Sequence, residues 1–278
     1  MSGRSFGTLA LAVEPGPIKL MRVFCLASLL FPILLGRAYC QQFDDSSWMT
    51  THWTADDTAL RAERLRIVQL TGRLTELDKE AEAARKKCDS EKATAFDLFR
   101  WSCAVLVRSR GDFDYGSRLR MGTNAHAPME LFPKLSKPDS YEFTRVRLLL
   151  VANVDFPGRM MIPVAEALHA RDPEDEPVAL TLLYLYQPSA ANRHPEDRTK
   201  GIALVRFIDT HFKPDVRTWA RTGWFYYTAW MYTKSKADAT EAIRRSGEAR
   251  KLTKSEEQKR LIDREKQEMI KGTPGLKG

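Results

Sequence analysis

The stretch Tyr141-Glu-Phe-Thr-Arg-Val-Arg-Leu-Leu-Leu-Val-Ala-Asn153 decides the fold class. Asp139 stands just before it and Glu142 follows three residues later, the arrangement of a capping box. The spacing predicts a helix over 141–153, closed by the turn sequence Asp155-Phe156-Pro157-Gly158. The same rhythm repeats downstream. Helices are expected over Met160–Ala170, Pro177–Tyr186, Pro195–His211, Pro214–Lys236, Ala237–Leu252 and Ser255–Ile270. Proline recurs near their starts, where its missing N–H costs no hydrogen bond. The expected fold class is all-α: a long amphipathic N-terminal helix or helical hairpin beside an array of antiparallel helix pairs.

Upstream, Thr54 to about Arg108 reads as helix, either one rod or two helices with a break near Asp89-Ser90. Thr54 followed by Asp57 marks its start. Leu60, Ile67, Leu74, Ala81 and Cys88 recur every seven residues, with Leu70, Leu77 and Ala84 as companions. That is a narrow apolar seam on a highly charged helix, the pattern of coiled-coil packing. Glu63 interrupts it, and Gly72 weakens the helix by roughly 1 kcal/mol relative to alanine. The seam can pair two copies of the chain through residues 60–88, or fold back on later helices. Phe96, Leu98, Phe99, Trp101, Val105 and Leu106 widen the apolar face, which favours folding back.

Cys88 and Cys103 would lie about 22 Å apart on a straight helix. A disulfide needs Cα atoms about 4.4–6.8 Å apart, so pairing within the chain requires a bend between them. Two buried thiols, and a Cys88 cross-link between copies, are the alternatives.

The N-terminus carries Met21-Arg-Val-Phe-Cys-Leu-Ala-Ser-Leu-Leu-Phe-Pro-Ile-Leu-Leu-Gly36, then Arg37-Ala-Tyr-Cys40. A basic residue before about 14 apolar positions, with small residues near the end, reads as an export signal. It is short of the about 20 apolar residues of a bilayer-spanning helix. The expectation is a signal over 1–40, with translation from Met1 or Met21, and an exported protein, periplasmic or secreted. A retained N-terminal membrane anchor is the alternative, and is the only membrane contact expected. The remaining organisation is a helical region over 41–108, an irregular loop over 109–139, a helical-hairpin domain over 140–271 and a flexible tail over 272–278.

Val164-Ala-Glu-Ala-Leu-His-Ala-Arg-Asp-Pro173 and Ala242-Ile-Arg-Arg-Ser-Gly-Glu-Ala-Arg-Lys-Leu252 look like second helices of tetratricopeptide units, and Trp224-Phe-Tyr-Tyr-Thr-Ala-Trp230 like a bulky first helix. Residues 141–270 thus resemble a tetratricopeptide-like helical repeat. The units depart from the usual step of about 34 residues, and the first-helix glycine is largely missing. The resemblance implies an interaction scaffold with a concave groove. It makes Trp224, Tyr227 and Trp230 groove candidates and Arg145 a candidate carboxylate clamp. The residues themselves also support another reading. Aromatics crowd nearly the whole circumference from Trp219 to Tyr232, and a helix apolar on all sides is normally buried.

The formal net charge is +8, with much of the excess after Tyr232. Acids are interspersed with the bases and no nucleic-acid motif occurs, so no nucleic-acid partner is expected. His52, His126, His169, His194 and His211 form no close ligand pair, and no metal or cofactor is expected. No nucleophile elbow, phosphate loop or Cys-x-x-Cys occurs. Asp112 and Asp114, near Tyr115, Arg118 and Arg120, are a pair of carboxylates that could do acid–base work, although the abundant basic neighbours favour a solvated turn. The expected function is therefore non-catalytic: an exported scaffold that binds a protein or peptide. An extracytoplasmic enzyme using the 109–139 loop and a coiled-coil dimer are the alternatives.

Overall fold

The computed structural model describes residues 48–111, 127–154, 159–189 and 194–276. The expected export signal, Asp112, Asp114 and His126 lie outside these residues. Every regular element among them is helical. In chain order these are α1 (Thr58–Val68), α2 (Leu74–Cys88), α3 (Ala95–Gly111), the single turn α4 (Phe132–Leu135) and α5 (Tyr141–Val154). A 3-10 turn, Arg159–Met161, runs into α6 (Ile162–Arg171). Then come α7 (Glu176–Ser189), α8 (Pro195–His211), α9 (Val216–Thr233), α10 (Lys236–Leu252) and α11 (Glu256–Gly272). Several consecutive helices pack as antiparallel pairs. All described residues belong to one unit, Ser47–Gly278. No helix among them is long and apolar enough to cross a membrane.

The region 54–108, expected as one rod or two helices, is three helices. Gly72 adopts φ +84°, a left-handed conformation that glycine accepts without a Cβ clash, and it turns α1 into α2. The second break falls at Asp89-Ser90, as expected, and Thr94 starts α3. Its hydroxyl accepts from the Asp97 amide at 3.2 Å, while the Asp97 carboxylate accepts from the Thr94 hydroxyl at 2.6 Å. The two turns fold the apolar seam onto α3. Leu60 and Ile67 from α1, with Leu77, Ala84 and Cys88 from α2, are buried together with Leu98, Phe99 and Trp101. Glu63, which interrupts the seam, joins Arg66 at 2.8 Å and Arg100 at 3.3 Å. Cys88 and Cys103 are both buried free thiols.

Helix α5 lies at the centre. Every residue from Ser140 to Val151 is buried, so no side of this part of the helix faces water. Its apolar side chains pack edge to face, with Phe143 at 5.4 Å from Phe99 and 6.1 Å from Phe132. Its cap differs from the sequence expectation. Ser140, not Asp139, is the capping residue, its hydroxyl accepting from the Phe143 amide at 3.1 Å. Asp57 also serves this end, accepting from the Ser140 hydroxyl at 2.6 Å and the Glu142 amide at 3.0 Å. A carboxylate here sits at the positive end of the helix dipole. Asp57 makes no side-chain cap on its own helix α1.

The C-terminal helices are built from short links. Only Lys234 and Ser235 separate α9 from α10, which forces the two helices to lie antiparallel. They approach closely at Gly223, where an added Cβ would stand 2.8 Å from Ser246 Oγ and 3.1 Å from the Ser246 amide nitrogen. Asp215 and Thr218 form a reciprocal capping box at the start of α9. The stretch from Gly272 to Leu276, expected as flexible tail, is pinned instead. Thr273 is buried and accepts from Trp230 Nε1 at 2.8 Å.

Helix α11 carries one unusual group. Glu265 is buried, and burial pushes its carboxyl up to about 8, with Glu268 raising it further and Arg264 opposing. The folded protein therefore holds a proton there that the unfolded chain releases near the ordinary carboxylate value. The stability this contributes is present below about pH 4.5 and lost as pH rises through about 8. Thermal melts of wild type and Glu265→Gln should coincide at pH 4.5, and the variant should become progressively the more stable one towards pH 9. Parallel curves across that range would show that Glu265 is not held neutral. Gly223→Ala should lower the unfolding free energy by about 1–3 kcal/mol in urea titrations, because the added methyl meets the backbone of α10. Gly247→Ala, with no atom within 4 Å of its Cβ position, should raise it by about 0.5–1 kcal/mol.

Candidate functional site

Five helices converge on one cleft. Arg64 and Val68 come from α1, Leu106 and Val107 from α3, and Arg145 and Leu149 from α5. Helix α7 adds Pro177, Leu180 and Thr181, and α9 adds Arg217 and Arg221. Its cavity volume is ≈ 100 Å³, and it opens to solvent. Among the described residues, four guanidinium groups line it and no carboxylate does. The remaining wall is mostly aliphatic.

Three of the four arginines are held by carboxylates of the same chain. Arg64 pairs with Glu142 through Nε at 2.8 Å and Nη2 at 2.9 Å. Arg145 pairs with Asp175 through the same two nitrogens, with Nη2 at 2.9 Å. Arg217 grips Asp215 at 2.9 Å and 2.7 Å, again through Nε and Nη2. In the first two pairings each nitrogen meets its own carboxylate oxygen, which fixes the guanidinium plane, whereas both Arg217 nitrogens converge on Asp215 Oδ2; Nη1 takes no part in any of the three. Arg221 lies over the Tyr184 ring, 4.7 Å from its centroid. Glu176 stands 3.8 Å from Arg217.

The Arg145–Asp175 pair is buried on both sides, with side chains 6% and 2% exposed. Burial alone would raise the Asp175 carboxyl; the charge and hydrogen bonds of Arg145 overcome it and hold the group below the usual carboxylate range. Burial likewise works against the Arg145 charge, and Asp175 restores it. The Cys103 thiol also borders the cleft, and burial pushes it up to about 12. It is therefore a protonated thiol at neutral pH, without the thiolate character of a nucleophile.

Of the four residues the resemblance implicated in binding, only Arg145 borders this cleft. It clamps a carboxylate, but one of its own chain. Tyr227 and Trp230 are buried in a core cluster with Ala239, Ala242 and Met269, and Trp224 packs partly buried against it. The core reading of these aromatics therefore holds for Tyr227 and Trp230: they bind α10 and α11 rather than line an open groove. Tyr227 also donates its hydroxyl to Glu268 at 2.8 Å.

Sequence reasoning missed Arg64, Arg217 and Arg221. One signal was legible: Arg217 and Arg221 are the only charged residues of α9 and stand one turn apart, on one face. The described histidines assemble nothing comparable. His169 and His211 flank the ring of Phe207, at 5.1 Å and 3.9 Å between centroids. His52 is exposed beside Thr50, and His194 precedes α8, 3.1 Å from Glu196. Among the described residues, no group of three or more His, Cys, Asp or Glu is placed to hold a metal ion.

The class that this architecture defines is an all-α assembly of antiparallel helix pairs enclosing an arginine-lined cleft. No protein-family model, curated protein or solved structure matches the chain.

Removing one side of the Arg145–Asp175 pair leaves a buried charge without its partner. Asp175→Asn should lower the unfolding free energy by about 3–5 kcal/mol. Asp175→Asn with Arg145→Met should recover part of that loss in the same urea titrations. A double variant no more stable than the single one would show that the strained element is not the orphaned guanidinium.

Proposed function

We propose that the protein is a non-catalytic helical binding protein that acts outside the cytosol and recognises an acidic segment of a protein or peptide. The observation that carries this reading is the cleft between α1, α3, α5, α7 and α9. Its four guanidinium groups and aliphatic walls suit a ligand that presents a negative charge beside an apolar group. The arginines are oriented before any ligand arrives, so little ordering is needed on binding. The antiparallel helix pairs support the finer reading of a tetratricopeptide-like scaffold. The basic, apolar and small-residue pattern of Met21–Cys40 supports export.

In this reading the partner is held by shape and charge, with no bond made or broken. Val68 stands 37% exposed at the cleft, so an indole at this position fills the site from outside without entering the core. Peptide display on the purified chain should enrich sequences with Asp or Glu next to a Leu-, Ile- or Phe-type residue. Val68→Trp should abolish that enrichment while leaving the helical circular dichroism and melting temperature unchanged. Selection of no consensus, or an identical consensus on both proteins, would overturn the assignment of the cleft as the binding site.

A further inference from the structure

We infer that the cleft also accepts a free small organic acid: one carboxylate carried on a compact, uncharged apolar body. The inference rests on the cleft being a binding site and goes beyond a peptide partner. It follows from three properties of the same space.

The first is charge. Among the described residues, the lining carries arginines from three different helices and no acid. Arg64, Arg145 and Arg217 bind their own carboxylates through Nε and Nη2 only. A guanidinium has five N–H donors, so each retains donors on Nη1 that a second, planar anion can meet. The ion pairs need not open. That matters, because opening the pair of Arg145 or Arg64 would leave Asp175 or Glu142 charged and buried.

The second is the apolar wall. Val68, Leu106, Val107, Leu149, Leu180 and Pro177 border the same space. A hydrated inorganic anion would leave these surfaces against water and gain nothing from them. A hydrocarbon body displaces that water, a gain of about 0.8 kcal/mol per buried methylene. The wall therefore selects an organic acid over phosphate or chloride, and a longer acid over acetate.

The third is size. The inner ≈ 100 Å³ is smaller than an engineered apolar cavity of roughly 150 Å³ that takes benzene. It suits a carboxylate with a few carbons, while the open mouth leaves the end of a longer chain room to continue. The carboxylate and its first carbons occupy this space, and the rest of a six-carbon acid extends into the open mouth. Arginine geometry fixes the head and the aliphatic wall accepts the body without demanding a particular branch.

Titration calorimetry and thermal shift on the full chain test this with hexanoate, 1-hexanol, acetate and inorganic phosphate as probes. Hexanoate should bind saturably and raise the melting temperature. 1-Hexanol, which matches the body but lacks the charge, should bind at least tenfold more weakly. Acetate, which keeps the charge and loses the body, should also bind at least tenfold more weakly, and phosphate should give no saturable signal. Val68→Trp, which fills the mouth, and Arg217→Gln, which removes one donor while Asp215 keeps its backbone partners, should each weaken hexanoate at least tenfold. Both should melt like the wild type without ligand. Equal binding of hexanoate and 1-hexanol, equal binding of phosphate, or no saturable hexanoate binding would overturn the inference. If hexanoate fails while peptide display still enriches acidic–apolar sequences, the free acid is excluded and the peptide reading stands. If both fail, the cleft is not a binding site.

Discussion

The pairing of buried charges around α5 is the constraint on which the rest of the structure depends. A helix enclosed on all sides is ordinarily apolar. This one carries Glu142, Arg145 and Arg147 inside the core. Each charge needs a partner at a definite place, because an unpaired ion in the interior costs several kcal/mol. Glu142 is met by Arg64 from α1 and Arg145 by Asp175 from the start of α7. Arg147 lies against the Trp48 and Phe132 rings, 4.8 Å and 5.7 Å from their centroids. Aliphatic packing tolerates small slips of one helix over another. A two-pronged ion pair does not, so the register of α1 and α7 against α5 is tied to two residues on each side.

That constraint reaches the N-terminal segment by a second route. Asp57 caps α5 from outside its own helix, and the Asp139 carbonyl accepts from the Thr54 amide at 3.0 Å. Trp53 Nε1 donates to Thr144 at 3.0 Å. The start of α1 is thereby stitched along the start of α5. The Gly72 turn then brings α2 back, and α1 and α2 can both pack on α3. Without the left-handed turn, Leu77 and Ala84 would continue a rod away from the core that buries them.

Helix identity was legible because it rests on local chemistry. Pro195 at the first helical position fixed the start of α8, and the Ser255 hydroxyl caps α11 next to the expected boundary. The circumference of aromatics on α9 correctly implied burial for Tyr227 and Trp230. Long-range electrostatics were not legible. Glu142 had the right spacing to back-bond a cap at Asp139, yet Arg64, 78 residues earlier, takes its carboxylate. Spacing reports which contacts a side chain can make locally; it does not report a stronger partner arriving from another helix. The same reason hid three of the four cleft arginines. Arg64 reads as one more charge on a charged helix until α1 is laid beside α5.

Arg145 shows how fold and site share one set of side chains. Sequence resemblance pointed to it as a clamp for a partner's carboxylate, and in the structure the carboxylate it holds is that of Asp175. Even so, Arg145 reaches the cleft. A ligand there does not compete with Asp175 for the charge as long as it approaches the nitrogen that the pair leaves unused. The buried carboxylates of Glu142 and Asp175 then act as supports: they fix the planes of Arg64 and Arg145, while the more exposed Asp215 holds Arg217 in place. They also reduce the net positive field, so attraction at long range is modest and selectivity must come from close contact. A site of this kind favours a ligand whose charge and apolar surface lie within a few ångströms of each other, because neither half of the wall is sufficient alone.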